Sequence, residues 1–271
     1  MSLTKKIDFA IIISVKNANP NGDPLNGNRP RTNYEGFGEI SDVCIKRKIR
    51  NRLLDNGLPI LVQSDDYRKD GFRSIKERYD SAAKTLPKTA SGEERAAFSC
   101  HTWFDVRAFG QVLAGVDDTN ASIAIRGPVS IQSAYSLEAV DVSSMQITKS
   151  VNLTTNKDPS KKSGDTMGMK HRIENGLYVT YGSINRQLSD KTGFSDEDAI
   201  ILRSAMCHMF ENDESSARPA GSMEVKKVIW WTHESVVLSS SKVHKSLALE
   251  NDGSYTISPI EGISVEQLDG Y

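Results

Sequence analysis

The chain has 271 residues, 38% hydrophobic and 25% charged, with a formal net charge of −1, and a chain of this length buries a full core without disulfide or metal staples. No apolar run approaches the roughly 20 residues of a membrane span, and the first residues lack the apolar stretch of a signal peptide, so a cytoplasmic protein is expected. Cys44, Cys100 and Cys207 are too widely spaced for a disulfide framework or a Cys-x-x-Cys zinc site.

The neutral total hides an uneven distribution. Residues 1–54 carry +5 and residues 145–191 carry +4, while 55–144, 192–245 and 246–271 carry −3, −2 and −5. Two basic stretches permit a polyanion footprint while the acidic ones keep the whole neutral. Uneven surface charge of no function is the other reading of either stretch alone.

Residues 6–15 form a β-branched apolar run that predicts a buried strand. Residues 17–33 follow, with six Asn, two Gly and three Pro, a composition that predicts a chain of tight turns and excludes helix or strand. Uninterrupted loops of this length are usually functional or disordered. Residues 39–54 predict a helix ended by Asn56-Gly57, with apolar side chains on two arcs and therefore packed on both sides. Lys46 and Arg50 share its remaining face, and no acid four residues away neutralises both. Two unpaired cations suit a phosphate track; a solvated face is the alternative.

Residues 63–96 are polar and predict broken helix with interruptions at Gly71, Pro87 and Gly92, an insertion in character. Helix is expected through 93–113, and strands at 121–131, 145–148 and 176–184. Residues 150–171 are too polar for a core and predict a protruding hairpin. Ser195 to Asp198 match a capping box opening a helix through Phe210, and 225–231 and 235–238 read as strands. The order predicts an α+β domain carrying two excursions.

Phosphate-loop, nucleophile-elbow and His-Glu-x-x-His signatures are absent. Cys100-His101 and Cys207-His208 would point about 100° apart on helices and read as buried thiols beside satisfied histidines, so no metal or cofactor is expected. Glu35-Gly-Phe-Gly-Glu39 faintly echoes an RNA-recognition signature, but with the wrong charge and leading into a helix. Asn amides and turn N–H groups can hold phosphates or base edges, and Arg29 and Arg31 can bind phosphate in bidentate fashion. Met167 and Met169 beside Lys170, His171 and Arg172 can wedge between bases while the cations hold the backbone; the alternative is that the methionines tie the hairpin base to the body.

Residues 11–24 (Ile-Ile-Ile-Ser-Val-Lys-Asn-Ala-Asn-Pro-Asn-Gly-Asp-Pro) and Arg29-Pro-Arg-Thr32 open an ordered set of motifs. Asp105-Val-Arg-Ala-Phe-Gly110, Ile125-Arg-Gly-Pro-Val129, Met169-Lys-His-Arg172, Gly176-Leu-Tyr-Val179 and Ser215-Ser-Ala-Arg-Pro-Ala-Gly-Ser222 follow. The set spans nearly the whole chain and resembles the multi-copy, CRISPR RNA-binding backbone subunit of the type I-C (Csd-type) Cascade complex. The resemblance implies one modified RRM-like (ferredoxin-like) palm over 1–271, a helical fingers insertion over 63–97 and a thumb hairpin over 146–170. It implies a non-catalytic protein that stacks along CRISPR RNA, each thumb splaying one base and leaving the others to pair with target DNA. Its implied partners are CRISPR RNA, the paired target DNA strand, further copies of itself, and the RNA 5′-end processing, large and small Cascade subunits.

By the same resemblance, RNA contacts are expected at Asn19, Asn21, Arg29, Arg31, Lys46, Arg50, Lys170, His171, Arg172 and Arg218, with Met167 and Met169 as thumb wedge. The alternative is a metal-dependent endoribonuclease of the type III kind, using Asp23 of the first loop; one carboxylate is a sparse metal site.

Overall fold

The structure, a computed structural model, describes residues 2–116, 122–148 and 167–271. Strand β1, Ile7–Ala18, is buried continuously from Ile7 to Ile13, as its unbroken apolar run requires. Asn17 takes a left-handed φ of 53°, which Asn tolerates better than most residues. It resets the alternation, so that Val15 and Ala18 both reach the core. The loop beyond is more regular than its composition suggests. Gly22–Asp23 (β2) pairs with Arg29–Pro30 (β3) around a single 3-10 turn at Pro24–Asn26. The expectation that it excludes strand is thereby corrected: Asp23 accepts the Leu25 N–H and Gly27 supplies the left-handed exit that closes the turn.

Phe37–Ile40 is strand β4, and helix α1 starts only at Asp42, running Asp42–Asp55. Ser41 caps the helix by accepting the Cys44 N–H, which places its start after residue 40. The Glu35 to Glu39 segment therefore ends on a strand instead of entering a helix directly. Helices α2 (Ile75–Ala82) and α3 (Gly92–Thr102) follow, the second opened by a Ser91–Glu94 capping box, so Gly92 begins a helix where a break was expected.

The expected single helix over 93–113 is three elements. Trp103 is extended (φ −118°, ψ 126°), α4 spans Phe104–Phe109, and Gly110 at φ 77° turns the chain into strand β5, Gly110–Leu113. Strand β6 (Ile123–Arg126) pairs with β5, whereas β7 (Val129–Ile131) joins the main sheet, so the run expected at 121–131 is split. The split has a steric cause. A Cβ on Gly127 would lie 2.4 Å from Ala108 O, and one on Gly110 would lie 2.3 Å from Ile125 O. The two motif glycines are where two backbones touch.

Strands β8 (Ala134–Ala139), β9 (Val142–Thr148) and β10 (Met167–Ile184) come next, then helices α5 (Arg186–Thr192) and α6 (Asp196–Cys207), the latter opened by the expected Ser195–Asp198 box. Strand β11 (Met223–His233), helix α7 (Ser240–His244) and strands β12 (Leu247–Leu249), β13 (Tyr255–Ile257) and β14 (Ile263–Asp269) complete the chain. Residues 235–238, expected as strand, form a loop instead, pinned where Leu238 N donates to His233 Nδ1.

Among the described residues the main sheet is antiparallel, in the order β14-β11-β1-β10-β8-β4, with β7 and β9 also on β10. On one face Phe9, Ile11, Ile13 and Val15 pack against α1, α4 and α6 through Ile45, Ile49, Phe104, Leu202 and Met206. On the other, Ala10, Ile229 and Trp231 are covered by Val243 and Leu247. A separate cluster of Leu61, Tyr79, Cys100, Trp103, Val106 and Leu113 gives the 61–123 region its own small core. No helix among the described residues is long and apolar enough to cross a membrane.

Candidate functional site

Strands β9 and β10 form an antiparallel ribbon, with Met167 opposite Thr148 and Ile173 opposite Val142. Neighbours along a strand point to opposite faces, and directly opposed residues share a face. Met167, Met169 and His171 therefore lie on one face with Thr148, Gln146 and Ser144, while Lys170 and Arg172 lie on the other with Met145 and Ser143. The sequence groups methionines and cations in one segment; the register turns Lys170 and Arg172 to the face away from the methionines and leaves His171 beside them. Met167 is 65% and Met169 56% exposed, so neither ties the ribbon to the body. Residues 149–166, the tip of the expected hairpin, lie outside the described residues.

The first loop reaches the base of this ribbon. Arg29 Nη1 donates to Ser144 Oγ (2.9 Å), and His171 Nδ1 lies 2.8 Å from the same oxygen. On the opposite face Arg172 Nε donates to Ser143 Oγ (3.3 Å). Lys170 has no hydrogen-bond or ion-pair partner among the described residues. Arg29 and Arg172 are held here by hydroxyls instead of carboxylates. They keep their positions and their charge, which is what an anion-binding seam requires.

Other expected contact residues are engaged within the protein. Asn21 Oδ1 accepts from the backbone N (2.9 Å) and hydroxyl (2.8 Å) of Ser41, fastening the loop to the start of α1. Asn19 is buried and donates to Asn28 O (2.7 Å). Arg31 lies 3.7 Å from Asp23. Lys46 and Arg50 are not the unpaired cations that helix spacing suggests: Lys46 Nζ is 2.9 Å from Asp42 and Arg50 Nε 2.9 Å from Asp105. Asp105 lies 55 positions away in sequence, beyond any local pattern. Arg218 Nε donates to Asp213 (2.8 Å).

Asp23 Oδ1 accepts the Leu25 N–H at 3.2 Å, a turn-capping role. Among the described residues no three His, Cys, Asp or Glu side chains are gathered to hold a metal ion. Sequence reasoning misses Ser143 and Ser144, whose importance comes only from the register, and Lys48, a 6%-exposed lysine on Asp213.

The motif Asp105-Val-Arg-Ala-Phe-Gly110 is structural in its contacts. Besides Arg50, Asp105 accepts the backbone N–H groups of Leu61 (2.8 Å) and Val62 (3.1 Å). Arg107 grips Asp198 with two bonds, 2.9 and 2.8 Å, tying α4 to the capping box of α6.

The family described as CRISPR-associated protein Cas7 matches residues 5–267. A CRISPR-associated protein Cas7 from Haloferax volcanii is 23% identical over 281 residues, covering 98% of this chain and 82% of that protein. A chain in a solved structure described as a CRISPR RNA-guided surveillance complex, pre-nicking, superposes with a TM-score of 0.54 at 16% identity, covering 93% of this chain and 84% of that one. That likeness is one of fold: a mixed α+β chain built on a large antiparallel sheet. With the family match extending over nearly all of its length, the chain belongs to the Cas7 family of CRISPR-associated proteins.

Proposed function

We propose that this chain is the non-catalytic, CRISPR RNA-binding backbone subunit of a type I-C Cascade complex. Several copies assemble along one RNA, which guides recognition of complementary foreign DNA beside the processing, large and small subunits. In this reading the main sheet with its helices is an RRM-like palm, residues 63–97 are helical fingers and 146–170 the thumb. The observation that carries the reading is the seam where Arg29 and His171 share Ser144 while Arg172 rests on Ser143. It brings the first loop and the ribbon together, with Arg29 on one face and Arg172 on the other, neither paired with an acid among the described residues. Such a surface binds backbone phosphates without reading sequence, leaving the bases free for pairing.

Light scattering of the protein copurified with CRISPR RNAs of increasing length tests it. The mass is expected to rise stepwise with RNA length; a mass independent of RNA length overturns assembly. Incubation of that complex with magnesium and complementary RNA is expected to leave the RNA whole. Regularly spaced cuts that Asp23→Ala abolishes would overturn the non-catalytic part.

A further inference from the structure

The first loop, α1 and the turn following α6 enclose a cleft of about 410 Å³. Its lining includes Arg47, Lys48, Asp66, Asp213 and Arg218. Each cation there meets an internal acid. Arg47 Nη2 is 3.1 Å from Asp66, Lys48 Nζ is 2.5 Å from both oxygens of Asp213, and Arg218 Nε is 2.8 Å from one of them.

The Asp213 arrangement has the shape of an occupied anion site. Two oxygens sharing one negative charge are held by an ammonium and a guanidinium, as the two free oxygens of a phosphodiester would be. The acid sits on a turn, not within a helix or strand, next to Asn212 at a left-handed φ of 61°. Burial lowers the Lys48 pKa and the Asp213 carboxylate opposes that shift. Lys48 is 6% exposed, so its charge needs an adjacent anion, and if Asp213 leaves another must take its place.

We propose that this cleft seats one backbone phosphate of the RNA and that Asp213 is its built-in stand-in, displaced from Lys48 and Arg218 as the RNA enters. The proposal rests on the RNA-binding reading and adds a gate to it. A lone phosphate gains nothing net over a carboxylate already in place. A strand anchored at the Ser144 seam presents its phosphate at high effective concentration and can win. The cleft thereby discriminates a long polyanion from free anions.

Titration of a labelled single-stranded RNA against the full chain at low salt tests this, with thermal melting as the control for folding. Asp213→Asn is expected to bind about tenfold tighter than wild type, the scale of one charge-assisted contact no longer broken. Adding Lys48→Gln to it is expected to abolish the gain. Inorganic phosphate is expected to raise the melting temperature of Asp213→Asn but not of wild type. A folded Asp213→Asn that binds RNA no tighter than a wild type that does bind overturns the stand-in alone; a wild type that binds no RNA removes the RNA-binding reading itself. If Asp213→Asn does not fold, carbodiimide labelling of wild-type Asp213 decides: faster labelling with RNA bound supports displacement, and unchanged or slower labelling overturns it.

Discussion

Arg50 on α1 and Asp105 on α4 form an ion pair at 2.9 Å, and Asp105 is wholly buried. The same carboxylate accepts the N–H groups of Leu61 and Val62, and the Arg50 guanidinium lies 5.1 Å from the centre of the Phe109 ring. The pair thus joins the helix over the main sheet to the point where the chain leaves for its second core.

Removing one partner of such a pair strands a buried charge. Arg50→Ala is therefore expected to lower stability by about 3 kcal/mol in urea unfolding. The salt dependence of RNA binding should be unchanged for the folded fraction. A stable variant with a shallower salt slope would return Arg50 to the RNA-binding surface.

Cations held by hydroxyls should behave in the opposite way. Arg29→Ala and Arg172→Ala are each expected to reduce the slope of log affinity against log salt by about 0.7, the share of one phosphate contact on a single strand. Stability should change little, because each loses one exposed or half-exposed hydrogen bond. Equal slopes in wild type and variants would remove the seam from the RNA path.

The two faces of the β9–β10 ribbon should separate in the same way. Met167→Ala with Met169→Ala is expected to alter the fluorescence of a stacking-sensitive base analogue in bound RNA while leaving the salt slope intact. Lys170→Ala should do the reverse. A slope change from the methionine pair, or none from the lysine, would contradict the register argument.

Acid sensitivity should appear before the carboxylates titrate. Burial holds His244 below its ordinary pKa of 6.5, against the raising effect of Asp8. Its ring lies 3.1 Å from Gly182 O and 3.8 Å from Asp8, with Lys6 on the same carboxylate and Tyr181 and Trp231 alongside. As pH falls through 6.5 the unfolded chain takes up this proton first, so the His244 contribution, complete above 6.5, is lost towards the folded pKa. The urea midpoint is expected to fall between about pH 7.5 and about pH 5.5, and His244→Gln to flatten that fall. An equal fall in the variant would assign the effect elsewhere.

Much of the fold is local and therefore legible. The continuous apolar run of β1 announced burial on both faces, and the Ser195–Asp198 box opened α6 where spacing put it; residues 145–148 are the expected strand, but they pair with 167–170 inside the polar excursion and not with 176–184 beyond it. At residues 93–113 a distant contact overrode local preference. Residues 93–113 have helical periodicity, but the close passage of Gly110 against Gly127 stops the helix and begins a strand.

The site divides along the same line. Residue order alone determined that residues 1–54 and the 145–191 stretch are basic, which made a neutral chain compatible with a polyanion partner. Only the tertiary structure decided which of those cations keep an unneutralised charge. Arg50 finds its acid 55 positions away and Lys48 finds Asp213 165 positions away, whereas Arg29 finds a serine hydroxyl 115 positions away. Hydrophobic period acts between near neighbours and can be read along the chain; charge compensation acts through a few ångströms of space, and the register of β9 on β10 sets which side chains share that space.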